Sequence, residues 1–108
     1  MRDILAEIVE KKRGVVEAAK RELPLYAIKQ KITYGSFLGS HRMRGEAWSL
    51  IAECKLQSPA KGRLTKSHSV LELAHIYEEN GASMLSVHTD AHFLGSNEDF
   101  RAVRREIA

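Results

Sequence analysis

The sequence has little of what would tie it to a membrane, an oxidising compartment or a polyanion. It has one cysteine, Cys54, so no internal disulfide can form, which fits a reducing compartment. It has no run of about 18 apolar residues, which excludes a membrane-spanning helix. Its opening stretch, MRDILAEIVEKKRG, mixes acids and bases and lacks the apolar centre of a secretion signal, so a cytoplasmic protein is expected. Charge of one sign is also scarce. Seventeen Lys and Arg against 14 Asp and Glu leave a net charge of +3, and the two signs are interspersed (EKKR, KRE, RAVRRE). A nucleic-acid surface needs a dense basic patch, so no nucleic-acid partner is expected, while an anionic small molecule is compatible with the charge.

What is present is the material of one small globular domain: 108 residues, 44% of them hydrophobic, with apolar and charged runs in alternation. Residues 3 to 23 place Ile4, Leu5, Ile8, Val9, Val15, Val16 and Ala19 at helical spacing, with Asp3 as N-cap and Pro24 as terminator. Residues 25 to 47 are less regular and predict a short helix followed by a loop. WSLIAECK, from Trp48, reads as a strand, and LQSPAKGRLTKSH as a loop. Ser69 and Glu72 form a capping-box pattern for a helix that buries Val70, Leu73, Ala74 and Tyr77 and stops at Asn80-Gly81. ASMLSVHTD is a second strand and AHFLG a loop. Ser96 and Asp99 open a last helix, expected to bury Phe100, Val103 and Ile107.

The order is therefore a helical leader followed by β, α, β, α, which is an α/β pattern. Two strands joined by a helix should be parallel. Two such strands alone leave sheet edges and one sheet face uncovered, whereas parallel sheets are covered on both faces. The expectation is self-association or docking with a complementary piece of a larger fold.

The stretch IAECKLQSPAKGRL raises a chemical question. Glu53 and Lys55 are two apart on a strand and so share a face, just where the strand ends. From spacing alone, a strand-end ion pair at the surface fits as well as a reactive pair. Cys54 points the other way and reads as an inert core residue. His88, Asp90 and His92 are all metal-ligand types, but Asp90 to Phe93 read as a turn and no fourth ligand is evident, so no metal is expected. Lys61 and Arg63 read as solvated loop cations.

Two motifs then carry a resemblance. Ile51, Ala52, Glu53 and Lys55, with Ser58, Pro59 and Gly62, resemble the first barrel strand and loop of the indole-3-glycerol-phosphate synthase family. Ala82, Ser86, Val87, Thr89 and Asp90, with Phe93, Gly95, Ser96, Glu98 and Asp99, resemble its second strand and loop. The leader ILAEIVEKKR resembles the family's N-terminal helix. His88 departs from the pattern, standing where the family usually has leucine.

The resemblance implies a helical N-terminal extension over 1–47 and, over 48–108, the first two β/α units of a (β/α)8 TIM barrel. A complete barrel takes about 250 residues. The family's third-strand lysine, fourth-strand glutamate and late phosphate-binding loops would fall beyond residue 108. The implied enzyme is a carbon–carbon lyase of tryptophan biosynthesis, working without a cofactor. It closes the indole ring of 1-(2-carboxyphenylamino)-1-deoxyribulose 5-phosphate with loss of CO2 and water. Carried over by motif, Lys55 and Glu53 are the catalytic pair, Ser58 contacts the phosphate, and Phe93 lines the pocket for the anthranilate ring. The competing reading is a non-catalytic partial-barrel module that self-associates or docks with a complementary fragment.

Overall fold

The computed structural model describes residues 2–32 and 48–107. The chain divides into two compact units, Met1–Arg42 and Met43–Ala108.

Among its described residues the first unit holds two helices. Helix α1 spans Ile4–Glu22, and the Asp3 carboxylate accepts the Ala6 N–H at 3.0 Å, so the expected N-cap is in place. Lys20 and Arg21 in its last turn sit favourably against the carbonyl end of the helix. The helix closes with the Leu23 N–H donating to Ala19, and Pro24 then starts helix α2, Leu25–Lys31. Proline lacks an N–H and so cannot continue a helix, yet it serves well at the beginning of the next one. No residue of α1 is buried, and Ile4, Leu5, Val9, Val15 and Val16 are all exposed. The loop expected after the short helix falls in 33–47, outside the described residues.

The second unit is an α/β assembly. Strand β1, Ile51–Cys54, is followed by a small hairpin, β2 Gln57–Ser58 and β3 Gly62–Arg63. Helix α3, Val70–Glu79, leads to strand β4, Met84–Val87. A one-turn 3-10 helix, Ala91–Phe93, precedes helix α4, Asn97–Glu106. β1 and β4 are parallel, with Ile51 opposite Met84, Ala52 opposite Leu85, Glu53 opposite Ser86 and Cys54 opposite Val87. The ladder continues past both ends. Leu50 C=O accepts from Ser83 and Met84, and the His88 N–H donates to Cys54 C=O at 3.2 Å.

The register sorts the side chains. Ala52, Cys54, Leu85 and Val87 lie on the face that meets the helices; Ile51, Glu53, Met84 and Ser86 lie on the other and are exposed. The core is Cys54, Val70, Ala74 and Val103, with Leu56, Leu73, Tyr77, Leu85 and Ile107 packed partly buried against it.

Three expectations need correction. The strand read as Trp48 to Lys55 is a strand only over Ile51–Cys54; outside the flanking bonds at Leu50 and Cys54 no strand among the described residues runs alongside it. The stretch read wholly as a loop contains the β2–β3 hairpin. Its bend is made by Pro59 and by Gly62, whose φ of +64° is cheap only for glycine. Phe100, expected in the core, is exposed: α4 buries Val103, and Ile107 beyond its end is half-buried.

Both helix starts follow the sequence signals. At α3 the Ser69 hydroxyl accepts the Glu72 N–H at 3.2 Å and the Glu72 carboxylate accepts the Ser69 N–H at 2.6 Å. Gly81, at φ +88°, turns the chain out of α3, and the Ala82 N–H returns to the Tyr77 carbonyl. At α4 the Ser96 hydroxyl accepts the Asp99 N–H at 3.1 Å.

The Ser69 backbone N–H, and next the Ser69 hydroxyl, hold the Glu72 carboxyl below its ordinary value of 4.5. A lowered folded-state value stabilises the fold above that pH, and the contribution is lost as pH falls through the folded-state value. Ser69→Ala should cost about 1 kcal/mol in urea denaturation at neutral pH. The advantage of the wild type over Glu72→Gln should be full above pH 4.5 and shrink below it.

Candidate active site

The C-terminal end of β1 brings two opposite charges together. Lys55 Nζ lies 3.1 Å from Glu53 Oε1, and both side chains keep partial contact with solvent. They line an open cavity of about 300 Å³, whose other walls are Leu64 and Thr65 from the segment after β3 and Leu73 and Tyr77 from α3. The cavity thus combines an ammonium–carboxylate pair with apolar and phenolic side chains. Such a site can hold an anionic group at the lysine while an apolar ring packs against Leu73. Leu64, Thr65, Leu73 and Tyr77 were not legible as site residues: Leu73 and Tyr77 carry the helical spacing of core positions, and no local signal tells a half-buried helix residue that it also walls a cavity.

Cys54, between the two charged residues, faces the opposite way and is fully buried against Val70, Ala74 and Val103. Burial first, and the Glu53 carboxylate second, push its thiol up. It is therefore held as the neutral thiol, the unreactive form.

Ser58 and Phe93 do not line this cavity. The Ser58 hydroxyl accepts the Lys61 N–H at 3.2 Å, inside the turn of the β2–β3 hairpin. Of the two loop cations after that turn, Arg63 donates from Nε to the Thr65 carbonyl, and Lys61 is exposed. Phe93 is buried in the turn after β4, its ring edge-to-face with His92 at 4.7 Å and with His88 at 6.1 Å.

That turn is held firmly. The Asp90 carboxylate caps the His92 N–H at 2.9 Å, and the Asp90 carbonyl accepts from Phe93 and Gly95. Asp90 thus serves as a turn cap, and among the described residues no group of three ligand-type side chains is placed to hold a metal ion. Gly95 is packed so closely that a Cβ there would lie 2.4 Å from the His88 carbonyl oxygen, a contact only glycine avoids. His88 Nδ1 is buried with no hydrogen-bond partner among the described residues. An unpaired buried nitrogen costs roughly 1–3 kcal/mol.

Parallel strands joined through a helix, with a charged pair at the C-terminal end of one of them, define an α/β chain of the kind that supplies enzyme active sites. The chain belongs to the indole-3-glycerol phosphate synthase family: the family model matches residues 5–108. Relatives carrying that name include proteins of Listeria welshimeri (40% identical over 104 residues), Microcystis aeruginosa (36% over 111) and Legionella pneumophila (35% over 107). These matches take in 95%, 98% and 97% of this chain, but 40%, 38% and 41% of those proteins. The chain thus spans about two-fifths of the length of the curated relatives it matches. Among the described residues no helix is long and apolar enough to cross a membrane.

Two outcomes follow from this geometry. Cys54 should resist a thiol reagent such as Ellman's in the folded protein and react once per chain in denaturing urea. Gly95→Ala should lower stability by about 1–3 kcal/mol, because the His88 backbone must move to admit the methyl group. Chemical denaturation measures the loss.

Proposed function

We propose that this chain carries the first two β/α units of a (β/α)8 barrel, over 48–108, behind a helical extension over 1–47. It supplies one wall of an indole-3-glycerol phosphate synthase site. The observation that carries this reading is the Glu53–Lys55 ion pair, 3.1 Å apart at the end of β1 on the wall of a cavity, in a chain of that family.

The chemistry asks for what this pair offers. In 1-(2-carboxyphenylamino)-1-deoxyribulose 5-phosphate, the ring carbon bearing the carboxylate attacks the ketone carbon. The carboxylate then leaves as CO2 and returns its electron pair to the ring. The former ketone oxygen, protonated, departs as water, and loss of a proton leaves the indole. The steps need a proton donor at the ketone oxygen, a proton acceptor, and cations for two anionic groups. Lys55 is the cation: it holds an anionic group of the substrate and assists proton transfer. Glu53 positions the lysine, sustains its charge and takes part in acid–base steps. Ser58 contacts the phosphate by donating its O–H while its oxygen keeps the Lys61 N–H, and Phe93 lines the pocket for the anthranilate ring. No cofactor is needed for this sequence of steps. The general acid and the phosphate cradle are contributed by other parts of the barrel, so residues 1–108 alone do not turn over. The site of action is the cytoplasm.

One observation favours a second reading, a partial-barrel module that self-associates or docks with a complementary fragment. Leu50, Ile51 and Met84 are exposed, and Trp48 nearly fully so, around a two-stranded parallel sheet. Burying these side chains would stabilise an assembly. Light scattering at tens of micromolar decides it: a monomer counts against the module.

The test of the enzymatic reading is an indole-fluorescence assay on residues 1–108 combined with a complementary barrel fragment. Restored turnover that Lys55→Ala lowers at least a hundredfold supports it. A folded, soluble reconstitution that makes no indole-3-glycerol phosphate overturns it.

A further inference from the structure

We propose that Tyr77 is a further binding residue of the Glu53–Lys55 cavity, its phenolic O–H donating a hydrogen bond to the anionic group of the substrate that Lys55 holds. This rests on the reading of that cavity as a substrate wall.

The position of the ring follows from helix α3. Leu73 and Tyr77 are one turn apart and share a face, beside the buried stripe of Val70 and Ala74. Both pack partly buried against the core, and both line the cavity with Glu53 and Lys55. The Tyr77 carbonyl accepts the Ala82 N–H at 2.9 Å, which holds the main chain under the ring. Of Val70, Leu73, Ala74 and Tyr77, only Tyr77 carries a side-chain polar atom. At about 300 Å³ the cavity is at the small end of ligand pockets, so a ligand held at Lys55 also meets the α3 wall.

The state of the hydroxyl supplies an independent observation. Among the described residues it makes no hydrogen bond. The side-chain polar atom there that is both buried and unpartnered is His88 Nδ1 alone, so the hydroxyl of the half-buried Tyr77 is open to solvent. The other walls offer less. Leu64 and Leu73 have no side-chain donor, and Glu53 is an acceptor. The Thr65 oxygen accepts the Ser67 and His68 N–H groups at 3.3 Å each, and its own hydrogen has Ser67 Oγ and His68 Nδ1 at 3.5 Å. Lys55 has three N–H bonds to give, and its ammonium already faces Glu53 at 3.1 Å. A carboxylate or phosphate has about four acceptor sites or more, so a second donor beside the ammonium strengthens its hold. Tyr77 supplies that donor from a ring already fixed by packing, so little order is lost on binding.

The experiment is a calorimetric titration of 1-(2-carboxyphenylamino)-1-deoxyribulose 5-phosphate into the full chain. It is run for the wild type and for Tyr77→Phe and Lys55→Ala, with urea denaturation of each. Tyr77→Phe keeps the packed ring and removes only the O–H. It should bind roughly ten- to a hundredfold more weakly, the loss of one hydrogen bond to a charged group. Its urea midpoint should stay that of the wild type, because the hydroxyl has no partner among the described residues. Lost affinity at unchanged stability separates a binding role from a structural one. Tyr77→Phe binding as the wild type does, while Lys55→Ala does not bind, overturns the role of Tyr77 and leaves the reading of the site intact. A Tyr77→Phe that loses stability together with affinity marks a structural hydroxyl and overturns it too. No binding by the wild type overturns both.

Discussion

The parallel ladder between β1 and β4 is the constraint on which the rest of the second unit depends. Four opposed pairs, extended by the bonds at Leu50 and His88, fix which residues face the helices and which do not. A slip of one residue would exchange the faces, driving Glu53 into the apolar layer and Cys54 out of it. The chemistry of the β1 terminus and the packing of the core are thus set by one register.

That register is defended from the core side. Cys54 and Val87 meet Val70 and Ala74 of α3 and Val103 of α4, and the cluster is small. With so few buried residues, the correct start and stop of each helix matter more than usual. The reciprocal Ser69–Glu72 cap and the Gly81 turn set where α3 begins and ends, so that Val70 and Ala74 arrive on the face that meets the sheet.

The loop after β4 shows a different economy. Gly95 lies against the His88 carbonyl, Asp90 caps the turn, and Phe93 is held between two histidines. A turn closed by these contacts fixes its side chains more sharply than an open loop would. It also leaves His88 Nδ1 buried with no hydrogen-bond partner among the described residues.

The sequence by itself determined the order of elements, both capped helix starts, the stop at Gly81, and the shared face of Glu53 and Lys55. Each is written in local signals: a period of two or 3.6, a hydroxyl three residues before a carboxylate, a glycine after an asparagine. It also carried the two motifs that led to the family. Tertiary structure alone decided the rest. Strand β1 is short because its length is set by its partner. Phe100 is exposed because the neighbours of α4 cover only the stripe around Val103. The hairpin between Gln57 and Arg63 depends on two residues meeting across a turn, which no alternating pattern announced. The wall of Leu64, Thr65, Leu73 and Tyr77 around the ion pair, and the orphaned nitrogen of His88, exist only once distant segments are brought together. Periodicity tells each residue its side of its own element, but only packing tells it what stands opposite.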